Sequence, residues 1–191
     1  MIADRFFAPA CLGAAGLVLA LSAPAAAQQF DSAYTDLNLD DCTVIAADDF
    51  GASWSCPGYK GIPVYVAEGD LRFFVSFGFG APDEVAAVQT PPPFNTLGPK
   101  VEWRLGNASG GWKPFATILR YFTSLGDGEK ESQVLVVTQL VGGATCHIAY
   151  VDATANADAN ELAREAADEL AGDFDCADAP EIIGDFEAWE N

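Results

Sequence analysis

Between Ile62 and Phe79 the chain alternates. Ile62, Val64 and Val66 occupy every second position, and after Glu68-Gly69-Asp70 the series Leu71, Phe73, Val75, Phe77, Phe79 does the same. Successive side chains of a strand point to opposite faces, so the pattern predicts an antiparallel hairpin with one face in a core. Arg72, Phe74, Ser76, Gly78 and Gly80 fall on the other face, where the two glycines admit curvature, a bulge or a close neighbour. Val101, Trp103 and Leu105 alternate with Glu102 and Arg104 and read as a further strand. Residues 116–125 are short and contain Thr117, Ile118, Tyr121, Phe122 and Thr123, which favours strand over helix. From Ser132 to Val141 the pattern changes. Val134, Val136 and Leu140 lie opposite Leu135, Val137 and Val141, so both faces are apolar, as in a central strand covered on two sides. Gly142-Gly143 then turns the chain into a strand from Ala144 to Val151.

One stretch follows helical spacing. Ala159, Leu162, Ala163, Ala166 and Leu170 form an apolar stripe, with Glu161, Glu165, Asp168 and Glu169 on the wetter side. Asp158 stands where an N-cap carboxylate accepts from early backbone N–H groups, and Glu161 follows at capping-box spacing. Arg164 is placed for a local pair with Asp168, and Gly172 for a C-terminal stop. The spacing predicts a helix near 159–171.

The remaining segments read as connections. Residues 28–41 are polar and look like a loose leading segment, followed by a short strand at Val44-Ile45-Ala46. Residues 51–61 are rich in turn formers and read as a loop anchored by Trp54 and Tyr59. Pro91-Pro92-Pro93 and Pro99 delimit an irregular connector. Asn107-Ala108-Ser109 matches a glycosylation acceptor inside a turn, a pattern common by chance. Gly126-Asp127-Gly128-Glu129 reads as an acidic turn. Together the pieces predict an α+β fold: a curved antiparallel β-sheet with one C-terminal helix packed on a face. A β-sandwich or small barrel with an attached helix is the alternative. A single helix, without repeated strand–helix units, argues against a doubly wound fold.

The N-terminus changes the picture of the compartment. An apolar run from Phe6 to Leu21 precedes Ala25-Ala26-Ala27, the pattern of a signal peptide cleaved after Ala27, which leaves 28–191 as a single disulfide-stabilised domain. The run is short for a membrane span and no second segment is long enough. The expectation is therefore a periplasmic or extracellular protein that is not integral to the membrane after cleavage. Cleavage removes Cys11 and leaves four cysteines with three pairings, and an oxidising destination favours disulfides. A strand continuing five residues past Cys146 extends about 17 Å at ~3.3 Å per residue. A helix of thirteen residues returns about 20 Å at ~1.5 Å per residue. Cys176 then lies beside Cys146, so the expected bridges are Cys42–Cys56 and Cys146–Cys176.

Nine basic against twenty-eight acidic residues give a net charge of −19, which repels phosphates and excludes nucleic acid as a partner. An apolar half and thirteen phenylalanines exclude general disorder. No catalytic, cofactor-binding or metal residue is assigned, and no cofactor is expected. His147 is the only histidine. It adjoins a bridged cysteine, and no Gly-x-Ser-x-Gly accompanies it. Zinc-protease, phosphate-loop and paired CxxC patterns are missing. Asp40-Asp41, Asp48-Asp49 and Asp83-Glu84 are acidic pairs, and Glu68 and Asp70 flank Gly69. Two carboxylates at a fixed separation hydrolyse glycosides, but nothing in the spacing fixes that separation, and a solvated turn is the expectation. Asp173, Asp175 and Asp178 offer hard oxygen ligands without a calcium-loop pattern.

Residues 152–191 carry thirteen acidic residues and a single basic one, Arg164. Among them Ile182, Ile183, Phe186 and Trp189 are expected to return to the core, with engagement of a partner as the alternative. The functional expectation is an exported non-enzymatic binding or structural-interaction domain that engages a cationic protein or peptide. The alternative is an extracytoplasmic hydrolase using an acidic-residue pair.

Overall fold

The computed structural model describes residues 29–107, 110–126 and 131–189. The leader at 1–27, residues 108–109 of the glycosylation pattern and residues 127–129 of the acidic turn lie outside the described residues. In chain order the strands are β1 (Phe30–Asp36), β2 (Thr43–Ala47), β3 (Gly51–Cys56), β4 (Val64–Gly69), β5 (Arg72–Phe77), β6 (Phe94–Gly106), β7 (Lys113–Ser124), β8 (Glu131–Gln139) and β9 (His147–Asp152). The helix α1 (Ala159–Leu170) and the strand β10 (Glu181–Ile183) follow. The α+β expectation holds. The strands divide into two open sheets, ordered β1-β6-β7-β8-β9-β10 and β2-β3-β4-β5, and they do not close into a barrel. Every pairing is antiparallel except β9 with β10.

The six-stranded sheet is the middle layer. On one face Val101, Trp103, Leu119, Tyr121, Val134 and Val136 pack against Val64, Val66, Val75 and Phe77 of the smaller sheet. On the other face Ile118, Leu135, Val137 and Ile148 pack against Ala159, Ala163, Ala166 and Ala167 of α1. This is why β8 is apolar on both sides: alternate side chains enter different cores. The alanines keep the helix close to the sheet, since none projects beyond a methyl. Trp103 is fully buried at the centre of the first core, edge-on to Phe77 at 5.6 Å. Its indole N–H donates to Thr35 Oγ1 at 2.9 Å, which satisfies the one polar atom the ring carries.

Both expected disulfides are present, Cys42–Cys56 with Cα atoms 4.3 Å apart and Cys146–Cys176 at 5.8 Å. Beside the second bridge, Gln139 is buried and fully used. Its amide donates to the carbonyls of Ala144 at 2.9 Å and Phe174 at 3.1 Å, and its Oε1 accepts from Gly172 N at 3.0 Å. The helix therefore ends on a glycine with φ 100° whose N–H is received by the sheet.

Local details differ from the sequence reading. Residues 30–36 form the edge strand β1, paired with β6 from Phe30↔Gly106 to Asp36↔Lys100. Its small polar side chains hide a strand that needs only Ala33 and Thr35 on the core side. Residues 51–56 form β3, inside the smaller sheet. Gly51 is required there by space, because a Cβ would stand 2.2 Å from the carbonyl oxygen of Glu68. β6 begins at Phe94, so Pro99 lies within it, across a register shift between Leu97 and Val101. Asp158 occupies the helix N-cap, but its carboxylate makes no cap bond, and its carbonyl accepts instead from Glu161 and Leu162 at 2.8 and 3.1 Å.

The acidic tail closes the fold. Phe186, Ala188 and Trp189 join the inter-sheet core, with Trp189 edge-on to Tyr150 at 5.6 Å. Asn156 and Asp185 exchange two bonds, and buried Asp152 accepts from Glu187 N at 3.0 Å. Ile183 packs on the helix side, while Ile182 is half exposed.

Candidate binding cleft

At one end of the molecule the two sheets part. The opening is a cleft of about 650 Å³ lined by residues from both: Trp54, Glu68, Leu71 and Phe73 from the smaller sheet, and Phe94, Thr96, Phe122, Ser124 and Glu131 from the larger. Strand alternation puts Trp54 and Phe73 here, since each is the next inward residue beyond the closed core of its strand. The lining is mostly apolar and aromatic, with a carboxylate from each sheet. Among the described residues, neither Glu68 nor Glu131 has a side-chain hydrogen bond or a cationic partner.

Asn95 builds the wall of the cleft. Buried between the triple-proline segment and β5, it accepts from Phe73 N at 2.9 Å and donates to the carbonyls of Pro93 at 2.9 Å and Pro91 at 3.3 Å. Its backbone N–H donates to the carbonyl of Leu71 at 3.0 Å. Thr90 completes the seam by donating its hydroxyl to the Phe73 carbonyl at 2.7 Å. Leu71 sits in the two-residue turn between β4 and β5, where it and Asp70 hold φ of 61° and 54°. This is the left-handed pair that a tight hairpin prefers, but a leucine there is strained. Asn95 holds that strained residue at the rim, with its side chain exposed.

The other chemistry-bearing residues go elsewhere. Glu68 and Asp70 do not converge: Glu68 lines the cleft, while Asp70 is exposed and pairs with Arg72 at 2.6 Å. His147 is buried, with Nδ1 2.9 Å from the Tyr150 hydroxyl. Burial lowers its pKa to about 3, so the ring is neutral, and burial pushes Tyr150 up to about 12. Asp152 spends its carboxylate on the backbone N–H groups of Thr154, Ala155 and Glu187, none of them near an exposed serine–histidine pair. Asp173, Asp175 and Asp178 are exposed, and Asp175 accepts from Ala177 N at 3.0 Å. Among the described residues, no group of three or more His, Cys, Asp or Glu side chains stands where it could hold a metal ion. Glu84 of the Asp83-Glu84 pair clamps the β8–β9 turn, accepting from Gly143 N at 2.7 Å and Thr145 N at 2.9 Å.

Trp54 was legible in the sequence as an aromatic anchor, although on a strand in place of a loop. Asn95 carries no sequence signal, because its role depends on three carbonyls and an amide that only the fold brings together. Glu131 was hidden for the same reason, since its neighbour across the cleft is on the other sheet. Comparison with protein-family models, with curated proteins and with solved structures finds no match to this chain.

Proposed function

We propose that this chain is an exported, non-enzymatic binding domain whose ligand is a cationic peptide or protein segment, taken up by an apolar or aromatic side chain in the cleft between the sheets. The observation that carries the reading is the combination of Trp54, Phe73, Phe94 and Phe122 with Glu68 and Glu131 in one opening. The rings offer burial and faces that attract cations. The carboxylates select the sign of the ligand, and the chain's charge of −19 draws it in. Two disulfides suit an oxidising compartment. Among the described residues no helix is long and apolar enough to cross a membrane. In this reading the leader at 1–27 supplies the export route.

The test is a titration of the disulfide-intact protein with a short arginine- and phenylalanine-containing peptide, followed by tryptophan emission. The expected result is a saturable change that requires Trp54, weakens several-fold between about 0.05 and 0.5 M salt, and weakens again in E68Q and E131Q. An emission change of the same size in W54F, or an affinity indifferent to salt, would overturn the reading.

A further inference from the structure

The smaller sheet ends in an open edge of unusual make-up. β2 has one neighbour, β3, and all five of its residues are exposed. Its sequence is Thr-Val-Ile-Ala-Ala, with Val44 58% and Ile45 55% exposed, and Phe50 at the hairpin tip 88% exposed. The other sheet edges are guarded. The Phe73 backbone on β5 is taken by Asn95 and Thr90. β1 carries Asp31 and Asp36 within the strand, and the Asp31 carbonyl receives Arg104. β10 is three residues long.

An apolar strand edge is a template for another strand, and charge decides which. Asp40-Asp41 precedes β2 and Asp48-Asp49 follows it. None of the four pairs with a cation among the described residues. A second copy of this chain added antiparallel would set each acidic pair against the other, and parallel addition would set each against itself. Like charges facing one another oppose both arrangements. A segment with basic residues at both ends meets attraction at the same two places.

We propose that β2 is a docking edge for an extended segment of a partner protein that has a β-branched apolar centre and basic residues at both ends, and that this segment adds as a fifth strand of the smaller sheet. The register of β2 on β3 passes from Val44↔Trp54 to Ala46↔Ser53, so Ile45 is bulged. The bulge shortens the run that an incoming strand can pair with, and the charged ends therefore carry much of the affinity. This surface is separate from the cleft lining and stands whether or not the cleft takes a ligand.

The probe is a nine-residue peptide with two arginines at each end and alternating valine and threonine between. Its control is the same peptide N-methylated at alternate central residues, which keeps charge and removes strand donors. Binding is measured by calorimetry on the disulfide-intact protein, and amide hydrogen exchange is read residue by residue. The expected result is slowed exchange confined to 43–47, about tenfold weaker binding of the N-methylated peptide, and about fivefold weaker binding to the D48N/D49N variant. The slowed exchange at 43–47 persists in E68Q/E131Q, which removes the cleft charges, whatever becomes of the total heat, and this separates the edge from the cleft. Equal binding of the two peptides, or unchanged exchange at 43–47 in the bound state, would overturn the proposal. So would dimerisation through this edge in physiological salt, seen as a dimer in sedimentation together with slowed exchange at 43–47 without peptide, because the occupant would then be a second copy.

Discussion

Arg104 and Asp168 face each other through two hydrogen bonds, Nε to Oδ1 at 3.0 Å and Nη2 to Oδ2 at 2.5 Å, which fasten β6, the neighbour of the edge strand, to α1. The side chains are 8% and 19% exposed. Next to them Arg164 reaches down from the helix to Glu102 on the same strand at 2.6 Å. Ser32 links the pairs, donating to Glu102 at 2.6 Å and accepting from Arg104 at 2.7 Å. The Arg164–Asp168 pairing that helical spacing suggests is not made. Each member finds a partner on the sheet, Asp168 on Arg104 and Arg164 on Glu102.

Asp168→Ala leaves the Arg104 guanidinium buried beside no carboxylate. A loss of about 3–5 kcal/mol of unfolding free energy is expected, because breaking one side of a buried pair strands the other charge. The double replacement R104M/D168L removes both charges and should cost clearly less than D168A alone. Urea denaturation of the two variants checks the order, and D168A being the milder change would refute it.

Acid should find His147. Its folded pKa of about 3 lies below the ordinary 6.5. The unfolded chain therefore binds a proton that the folded chain refuses. His147 costs nothing above pH 6.5, and stability falls as pH drops from about 6.5 towards 3, by up to ~1.4 kcal/mol per pH unit. Denaturation curves at pH 7.5, 6, 5 and 4 for the parent and H147Q should diverge in slope below pH 6, with the variant less steep. Parallel slopes would mean that the imidazole reaches solvent in the folded state.

Asn95→Ala removes the acceptor for Phe73 N and the donors to two proline carbonyls. With those groups left buried and unpaired, a cost of about 2–4 kcal/mol is expected. The readout that distinguishes a wall-building role from a general loss is hydrogen exchange. The Phe73 amide should exchange much faster in N95A, while amides of β8 keep their ranking.

Trp189→Ala opens the inter-sheet core where the tail returns. The ring touches Tyr150 and Phe186 at centroid distances of 5.6 and 4.5 Å. A loss of about 2–4 kcal/mol and a lower thermal midpoint are expected. Near-ultraviolet circular dichroism, which reports the packed aromatics, checks this.

What was legible in the sequence is whatever repeats. The alternation in β4, β5 and β6 and the stripe of α1 are local patterns with fixed periods, the β-forming residues of β7 mark it as a strand, and the two-sided apolar run of β8 already implied two cores. Cys146 and Cys176 were paired from element lengths alone. The failures share a cause. β1 carries Asp31, Ser32, Thr35 and Asp36, and β3 carries Gly51, Ala52, Ser53 and Ser55, residues whose choice of strand is decided by neighbours distant in the chain. Arg104 and Glu102 look like ordinary strand alternation, and Ser32 like part of a loose polar segment, until α1 is laid over them. The cleft needs four segments at once, and no spacing within one segment encodes it.

The pairing of Phe30 with Gly106 sets the order in which this molecule can be completed. A chain emerging N-terminus first presents β1 long before β6 exists, and β1 must wait without its neighbour. At the other end β10 joins β9 in parallel, a connection that needs α1 to be in place as the crossover. Six of the eight strand pairings join consecutive antiparallel strands, so the inner part of both sheets can form from local hairpins. What comes late is the outermost strand at each end of the larger sheet, and until then β6 and β9 each present an unpaired edge.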